Sequence, residues 1–236
     1  MTPAERSAEL AALEQVALAC VSCRLHETRT NVVFGAGDPD ASLVIIGEAP
    51  GQREDELGLP FVGRSGDLLE QLLREVGLSR DAVYIANVVK CRPPKNRDPR
   101  PDEIEACKGY LREQLRLIDP AVVLTLGNFS SKLLLATTTG ITKLRGQAYP
   151  WWGRHLVPTF HPAAALRGSA RVLEEMRYDF GLVRSVIEGS LDARPEPDPA
   201  PVQIDLVRND STDASSASGN GSDQQDNGGQ QLDLFG

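Results

Sequence analysis

The 236-residue sequence has no apolar run of membrane-spanning length, and it does not begin with the basic and then apolar stretch of a secretory leader. It also has only four cysteines. We therefore expect a cytoplasmic protein with no membrane partner. In that reducing compartment the cysteines are poor candidates for structural disulfides, so their spacing points first to metal or cluster ligation.

An excess of basic residues, which DNA-binding proteins use to contact phosphates, is also missing, because the formal net charge is −8. The acidic residues are concentrated near the C-terminus. From Asp192 onward, nine acidic residues and two arginines give −7, which leaves −1 for the rest of the chain. A nearly neutral body can carry a local basic face, so the composition does not exclude a nucleic-acid substrate.

The composition divides the chain into three segments. Residues 1–188 have the apolar content and length of one globular domain. Residues 189–229 are rich in Pro, Asp, Ser, Gly, Asn and Gln, and they cannot bury enough apolar surface to offset the entropy of ordering, which predicts a disordered linker. Residues 230–236 place two leucines and a phenylalanine at the end of this polar tail.

Short apolar runs alternate with helical patterns in residues 1–188. The runs that predict strands are residues 43–46, 83–86, 122–126 and 156–160. Apolar positions at helical spacing predict helices near residues 4–19, 65–77, 101–118, 128–136 and 170–188. This alternation predicts an α/β fold, a three-layer α/β/α sandwich around a mostly parallel sheet of about four strands.

The ends of these runs carry the side chains that are best suited to chemistry. Glu48, Asn87 and His161 stand at or just after three of the runs, and Asn128 follows the fourth. Each residue alone is usually a turn, cap or structural residue. Ligands of open α/β sheets bind at the carboxyl ends of the strands, so together these residues predict a ligand-binding crevice without specifying a reaction.

Four motifs stand in order along the chain: residues 47–51 (GEAPG), 59–63 (LPFVG), 87–94 (NVVKCRPP) and 158–162 (PTFHP). Together they resemble the family 4 uracil-DNA glycosylases, the iron-sulfur enzymes of bacterial type, over about residues 10–188. The resemblance implies a monofunctional enzyme of base excision repair. Such an enzyme hydrolyses the N-glycosidic bond of deoxyuridine in single- or double-stranded DNA, which releases uracil and leaves an abasic site.

The resemblance also implies roles for individual residues. Asn87 would recognise uracil through its amide, Phe61 would stack on the flipped base, and His161 would donate toward uracil O2 as the base departs. Glu48 would orient the hydrolytic water and stabilise the cationic sugar, with a purely structural role in its loop as the alternative. The loop that would line the base and sugar consists of Glu48, Ala49 and Pro50.

Departures from related families bear on these roles. Family 1 enzymes have an aspartate where this chain has Ala49, so the catalytic carboxylate is assigned to Glu48. Glu54 or Asp55 would stand against uracil C5 and exclude the methyl group of thymine. The basic, histidine-containing insertion of relatives that trap DNA covalently does not precede residues 158–162, so turnover is expected.

DNA contacts are expected from two regions. Leu166 would wedge into the vacated base stack and Arg167 would meet a phosphate, although Ala163 replaces a serine that is frequent in the family. The loop over residues 92–100 would follow the DNA backbone, with a solvated turn as the alternative. Its basic residues are Arg92, Lys95, Arg97 and Arg100.

The four cysteines form one pattern: Cys20 and Cys23 are separated by two residues, and Cys91 and Cys107 by fifteen. Four thiolates suit either zinc or a [4Fe-4S] cluster. The resemblance implies the cluster, which would tie the N-terminal helix to the loop over residues 92–100.

Residues 231–235 (QLDLF) lie outside the glycosylase resemblance. They resemble the short peptide by which bacterial replication and repair proteins bind the β sliding clamp, with a frayed tail as the alternative. We expect a monomer that works at the nucleoid. The alternative functions are a non-catalytic iron-sulfur module that binds nucleic acid and a glycosylase of broader base specificity. The peptide consists of Gln231, Leu232, Asp233, Leu234 and Phe235.

Overall fold

The computed structural model describes residues 1–168 and 170–189. The predicted linker from residue 190 onward and the peptide at residues 230–236 lie outside the described residues. Within this part of the chain, no helix is both long and apolar enough to cross a membrane.

The apolar runs form the centre of a six-stranded sheet, in the order β1-β3-β2-β4-β6-β5. Strands β3, β2, β4 and β6 are parallel, and the short edge strands β1 and β5 pair antiparallel to β3 and β6. The four parallel strands are those predicted from the sequence, whereas the two edge strands are too short to show a pattern. The bounds are β1 (Ala36–Gly37), β2 (Leu43–Gly47), β3 (Tyr84–Asn87), β4 (Val122–Leu126), β5 (Tyr149–Trp151) and β6 (Arg154–Thr159).

The five predicted helices are present as α1, α3, α4, α5 and α8. Helix α1 begins at a capping box, in which Thr2 and Glu5 satisfy each other's backbone amides. Three further helices of four to six residues, α2, α6 and α7, are too short to show helical periodicity. The bounds are α1 (Pro3–Leu18), α2 (Gln52–Leu57), α3 (Arg64–Glu75), α4 (Pro101–Ile118), α5 (Asn128–Leu134), α6 (Ile141–Leu144), α7 (Pro162–Leu166) and α8 (Ala170–Ile187).

Alternate residues of the central strands pack into two separate apolar layers. Val44 and Ile46 of β2 face the layer that holds α1 and α4, whereas Leu43 and Ile45 face the layer that holds α3 and α8. The fold is therefore the predicted three-layer α/β/α sandwich. After β2 the chain places β3 on one side of that strand and β4 on the other, and such a reversal opens a crevice at the carboxyl ends of the strands.

Candidate active site

Two adjoining cavities open at the carboxyl ends of the parallel strands. The first cavity, of about 580 Å³, lies beside the ends of β2, β3 and β6, and the second, of about 600 Å³, lies between the end of β4 and helices α4 and α5. Glu48, Asp98 and His161 line both cavities. The first cavity is also lined by Ala49, Pro50, Gly51, Glu54, Phe61, Ser65, Asn87, Pro93, Asn96, Arg97, Ala163 and Arg167.

Asn87 presents an unused hydrogen-bond acceptor in the first cavity. The residue ends β3, is 2% exposed, and its Oδ1 has no hydrogen-bond partner among the described residues. Gly47 stands beside it in the strand register, and a Cβ there would lie 2.3 Å from this Oδ1 and 2.7 Å from Cζ of Phe61. A buried acceptor without a partner is costly, so this site is suited to a ligand that donates an N–H group.

Phe61 forms one wall of the cavity in a constrained backbone conformation. Its φ of 51° lies in the left-handed region, which is unusual for an aromatic residue. Arg80 holds this turn by donating to the carbonyl oxygens of Phe61 and Pro60, and a Cβ at Gly66 would lie 1.9 Å from the Phe61 oxygen. The ring centroid lies 5.7 Å from that of His161, at an interplanar angle of 32°. The wall is therefore rigid and ready to stack against a planar ligand.

His161 is fixed as a neutral donor. Its Nδ1 accepts from the backbone N–H of Ala163 at 3.2 Å, in the first turn of α7, which leaves the ring proton on Nε2. Burial, and secondarily the charge of Arg167, lowers the pKa of His161 to about 4. The imidazole is thus uncharged at neutral pH and offers Nε2–H to the cavities.

Glu48 lies beside a second carboxyl group that the sequence analysis did not select. Asp98, an exposed residue of the loop before α4, has its carboxyl group within hydrogen-bonding distance of that of Glu48. Burial, followed by the charge of Asp98, raises the pKa of Glu48 to about 7. The residue therefore binds and releases a proton near neutral pH, as a general base does.

The four cysteines line one small cavity, although Cys23 and Cys91 are far apart in sequence. Arg29 donates to Sγ of Cys91 and the backbone N–H of Lys90 donates to Sγ of Cys107, both at 3.3 Å. Burial raises the pKa of Cys107 to about 12. Four thiols on one cavity, with N–H donors to two of the sulfurs, are a donor set of the kind that binds a thiolate-ligated metal group.

Residues 34–180 match the family model described as the uracil DNA glycosylase superfamily. A type-4 uracil-DNA glycosylase of Sulfurisphaera tokodaii is 44% identical over 74% of this chain and 83% of its own length. The chain belongs to the type-4 uracil-DNA glycosylases. A family member from Thermotoga maritima is 46% identical over 66% of this chain and 83% of its own length. A type-5 uracil-DNA glycosylase of Thermus thermophilus is 34% identical over 61% of this chain and 74% of its own length.

In this type-4 family member a buried lysine connects the first cavity to the cysteines. The Nζ of Lys90 donates to the backbone oxygen of Asn87 at 2.9 Å and to Oε1 of Gln114 at 2.5 Å. Its backbone N–H, as described above, donates to Cys107. Lysine is almost always exposed, so a sequence gives no sign of this contact.

The two acidic residues selected for specificity are placed differently. Glu54 lines the first cavity, and its Oε1 accepts from the backbone N–H of Val62 at 3.1 Å. Asp55 is buried outside that lining, where its Oδ1 accepts from the backbone N–H groups of Thr30 at 2.9 Å and Asn31 at 3.4 Å. The structure therefore brings Glu54 to the crevice and uses Asp55 to hold the chain near residue 30.

The basic residues of the loop over residues 92–100 are not equivalent. Arg97 makes a bidentate ion pair with the buried Glu103, at 2.6 and 2.8 Å, so its charge is already neutralised. Arg92 donates to Oδ1 of Asn96 at 2.7 Å, while Lys95 and Arg100 are exposed. The loop therefore presents fewer free charges than its sequence suggests.

Leu166 and Arg167, which follow the last motif by four and five residues, also differ in placement. Arg167 is exposed and lines the first cavity. Leu166 is half-buried, and it packs against the apolar layer of α3 and α8. A wedge role for Leu166 would require it to leave part of this packing.

Proposed function

We propose that this chain hydrolyses the N-glycosidic bond of deoxyuridine in DNA, releasing uracil and leaving an abasic site for base excision repair. The observation that carries the proposal is the buried Oδ1 of Asn87, which has no hydrogen-bond partner among the described residues, in the cavity that Phe61 and His161 also line. Family membership supports the class of reaction, and this acceptor supports uracil as the nucleobase that is recognised.

Base recognition follows from the pattern of donors and acceptors. Uracil N3–H donates to Oδ1 of Asn87, and the amide nitrogen of Asn87 donates to uracil O4. Cytosine has an acceptor at N3 and a donor at C4, so it presents the opposite pattern and leaves buried groups unpaired. Phe61 stacks on the flipped base, and Glu54 stands on the lining where it excludes a methyl group at C5.

Hydrolysis uses the remaining two groups. As the bond between C1′ and N1 breaks, its electron pair leaves with uracil, and Nε2–H of the neutral His161 donates to O2, where negative charge accumulates. Glu48 orients the attacking water and stabilises the positive charge that develops on the deoxyribose. The exposed Arg167, Lys95 and Arg100 and the half-buried Arg92 contact DNA phosphates, and Leu166 occupies the space that the base vacates.

We expect the purified chain to release uracil from both single- and double-stranded DNA containing one deoxyuridine, and to release nothing from matched DNA with cytosine or thymine. Release is measured as free base and as alkali-labile abasic sites. Binding to DNA without release would instead support the non-catalytic module. Release of deaminated purines at a comparable rate would instead support a glycosylase of broader base specificity.

We propose that Cys20, Cys23, Cys91 and Cys107 hold a [4Fe-4S] cluster. The convergence of all four on one cavity, with N–H donors to Cys91 and Cys107, supports this assignment. When bound, the cluster would act as a covalent cross-link between the segment after α1, the end of β3 and helix α4. The reaction proposed above needs no electron transfer, so the role is structural.

We further propose that residues 231–235 bind the β sliding clamp, with the chain acting as a monomer at the nucleoid. Gln231 would be hydrogen-bonded while Leu234 and Phe235 fill an apolar pocket. If residues 189–229 are the disordered linker that their composition predicts, about 40 residues would span on the order of 35 Å, which would hold the catalytic domain close to newly copied DNA.

Deleting this peptide is expected to abolish binding to purified clamp while leaving uracil release unchanged. The comparison is isothermal titration of the full chain and of a chain that ends at Gly229. A full-length variant with Leu234→Ala and Phe235→Ala should bind at least about thirtyfold more weakly, since buried apolar anchors dominate such interfaces. Equal binding by all three, or binding by none, would remove the recruitment proposal.

A further inference from the structure

Two cavities adjoin at the carboxyl ends of the parallel strands, and the reaction brings together two reactants, the flipped nucleotide and a water molecule. The first cavity contains the groups that recognise the base, Asn87 and Phe61. The second lies on the other side of Glu48 and Asp98, toward β4, and includes Lys132 and Thr137. In a displacement with inversion, water approaches the sugar carbon from the face opposite the departing base. With the base in the first cavity, the second cavity is the side from which water arrives.

We propose that Asp98 is a positioning residue for hydrolysis. Its carboxyl group, in contact with that of Glu48, holds Glu48 toward the second cavity, and the two groups together receive the proton that the attacking water loses. This inference rests on the proposed glycosylase function and adds a second carboxyl group to it.

The step balances without an added reactant. The water oxygen forms a bond to C1′, the bond from C1′ to N1 breaks, and its electron pair leaves on uracil, where His161 donates to O2. The proton of the water passes to the carboxyl pair formed by Glu48 and Asp98. It returns to solvent after the abasic product has formed.

Electrostatics favour this proton transfer. Two carboxylates in contact repel each other, so the pair holds one proton more firmly than either group alone. Burial is the larger cause of the high pKa of Glu48, about 7, and Asp98 adds to it. Arg97 does not offset this repulsion, because it is paired with Glu103. The titratable and charged groups that face Glu48 across the two cavities are Glu54, Arg97, Asp98, Lys132, His161 and Arg167.

The test is the pH profile of single-turnover uracil release for the native chain and for Asp98→Asn. The native rate should rise with pH through a midpoint near the Glu48 pKa of about 7, because below it the pair already holds its proton. His161, with a pKa of about 4, titrates outside this range. In Asp98→Asn the midpoint should fall by about one pH unit, since a repelling charge is removed, and the plateau rate should fall about tenfold.

Three further variants complete the test. Asp98→Glu should restore most of the native midpoint. Asp102→Asn removes the same charge from an exposed position in the first turn of α4 and should leave the profile unchanged. A profile of Asp98→Asn that superposes on the native one would overturn the proposal. Glu48→Gln distinguishes failure of the Asp98 proposal from failure of the proposed function. Full activity in Glu48→Gln would show that Glu48 is not the carboxylate that acts in the reaction.

Discussion

Asn87→Asp is expected to lower kcat/KM for uracil release by about 10²–10⁴-fold and to reduce the preference for uracil over cytosine. An ionised carboxylate can accept from uracil N3–H, but it presents a second acceptor to O4 where the amide presented a donor. The side chain is 2% exposed, so water cannot relieve the mismatch. Sites built to hydrogen-bond a substrate discriminate over this range when a buried partner is wrong.

The measurement is single-turnover release of uracil and cytosine from otherwise identical single-stranded DNA. Asn96→Asp is the matched control, because Asn96 is an exposed residue at the edge of the same cavity and the substitution adds the same charge. We expect this control to weaken DNA binding modestly and to keep the ratio of uracil to cytosine release. Native uracil release by Asn87→Asp, with cytosine still refused, would show that another group recognises the base.

The predictable parts of this fold are the strands and helices that are long enough to show a pattern of apolar residues. Each of the four central strands contains consecutive buried apolar residues, such as residues 43–46 in β2, and α3 places Leu68, Leu69, Leu72 and Leu73 on one buried face. Edge strand β1 has two residues and β5 has three, so their positions are set by pairing with β3 and β6. No local pattern could have located them.

The residues of the candidate site also divide into those that could be predicted from the sequence and those that could not. Glu48, Asn87 and His161 could be selected because strand ends in a parallel sheet meet at one edge. Asp98 could not, because its sequence neighbours are basic and its significance comes from contact with Glu48, fifty residues earlier in the chain. Arg97 was selected for DNA binding by its charge, and only the fold shows that Glu103 neutralises that charge.

Lys90 shows why such contacts matter for the site. Its buried ammonium group donates to the backbone oxygen of Asn87, and its backbone N–H donates to Sγ of Cys107. Lys90 therefore links the end of β3, where Asn87 lies, to the cysteine site. Disorder at the cysteines would therefore extend to the first cavity. This contact predicts that loss of the cysteine site and loss of uracil recognition occur together.

Cys91→Ala is expected to remove the iron, the broad visible absorption and most of the stability of the domain. Cys91 follows the end of β3 by four residues and lines the same cavity as Cys20, Cys23 and Cys107. Loss of a structural metal group costs more than about 4 kcal/mol, which for a domain of this size lowers Tm by on the order of 10 °C or more. Iron and sulfide content, visible absorption and thermal unfolding followed by circular dichroism measure the three effects.

Val21→Ala is the control, because Val21 lies between Cys20 and Cys23 but is 67% exposed, so its side chain contributes little to packing. It should keep the iron, the colour and the Tm of the native chain. Stoichiometric zinc without iron in the native chain, purified under anaerobic conditions, would overturn the cluster while leaving the four-thiolate site in place. If Cys91→Ala instead lost its iron but kept its Tm, the cluster would be present without being structural, and the link through Lys90 to Asn87 would then require a different explanation.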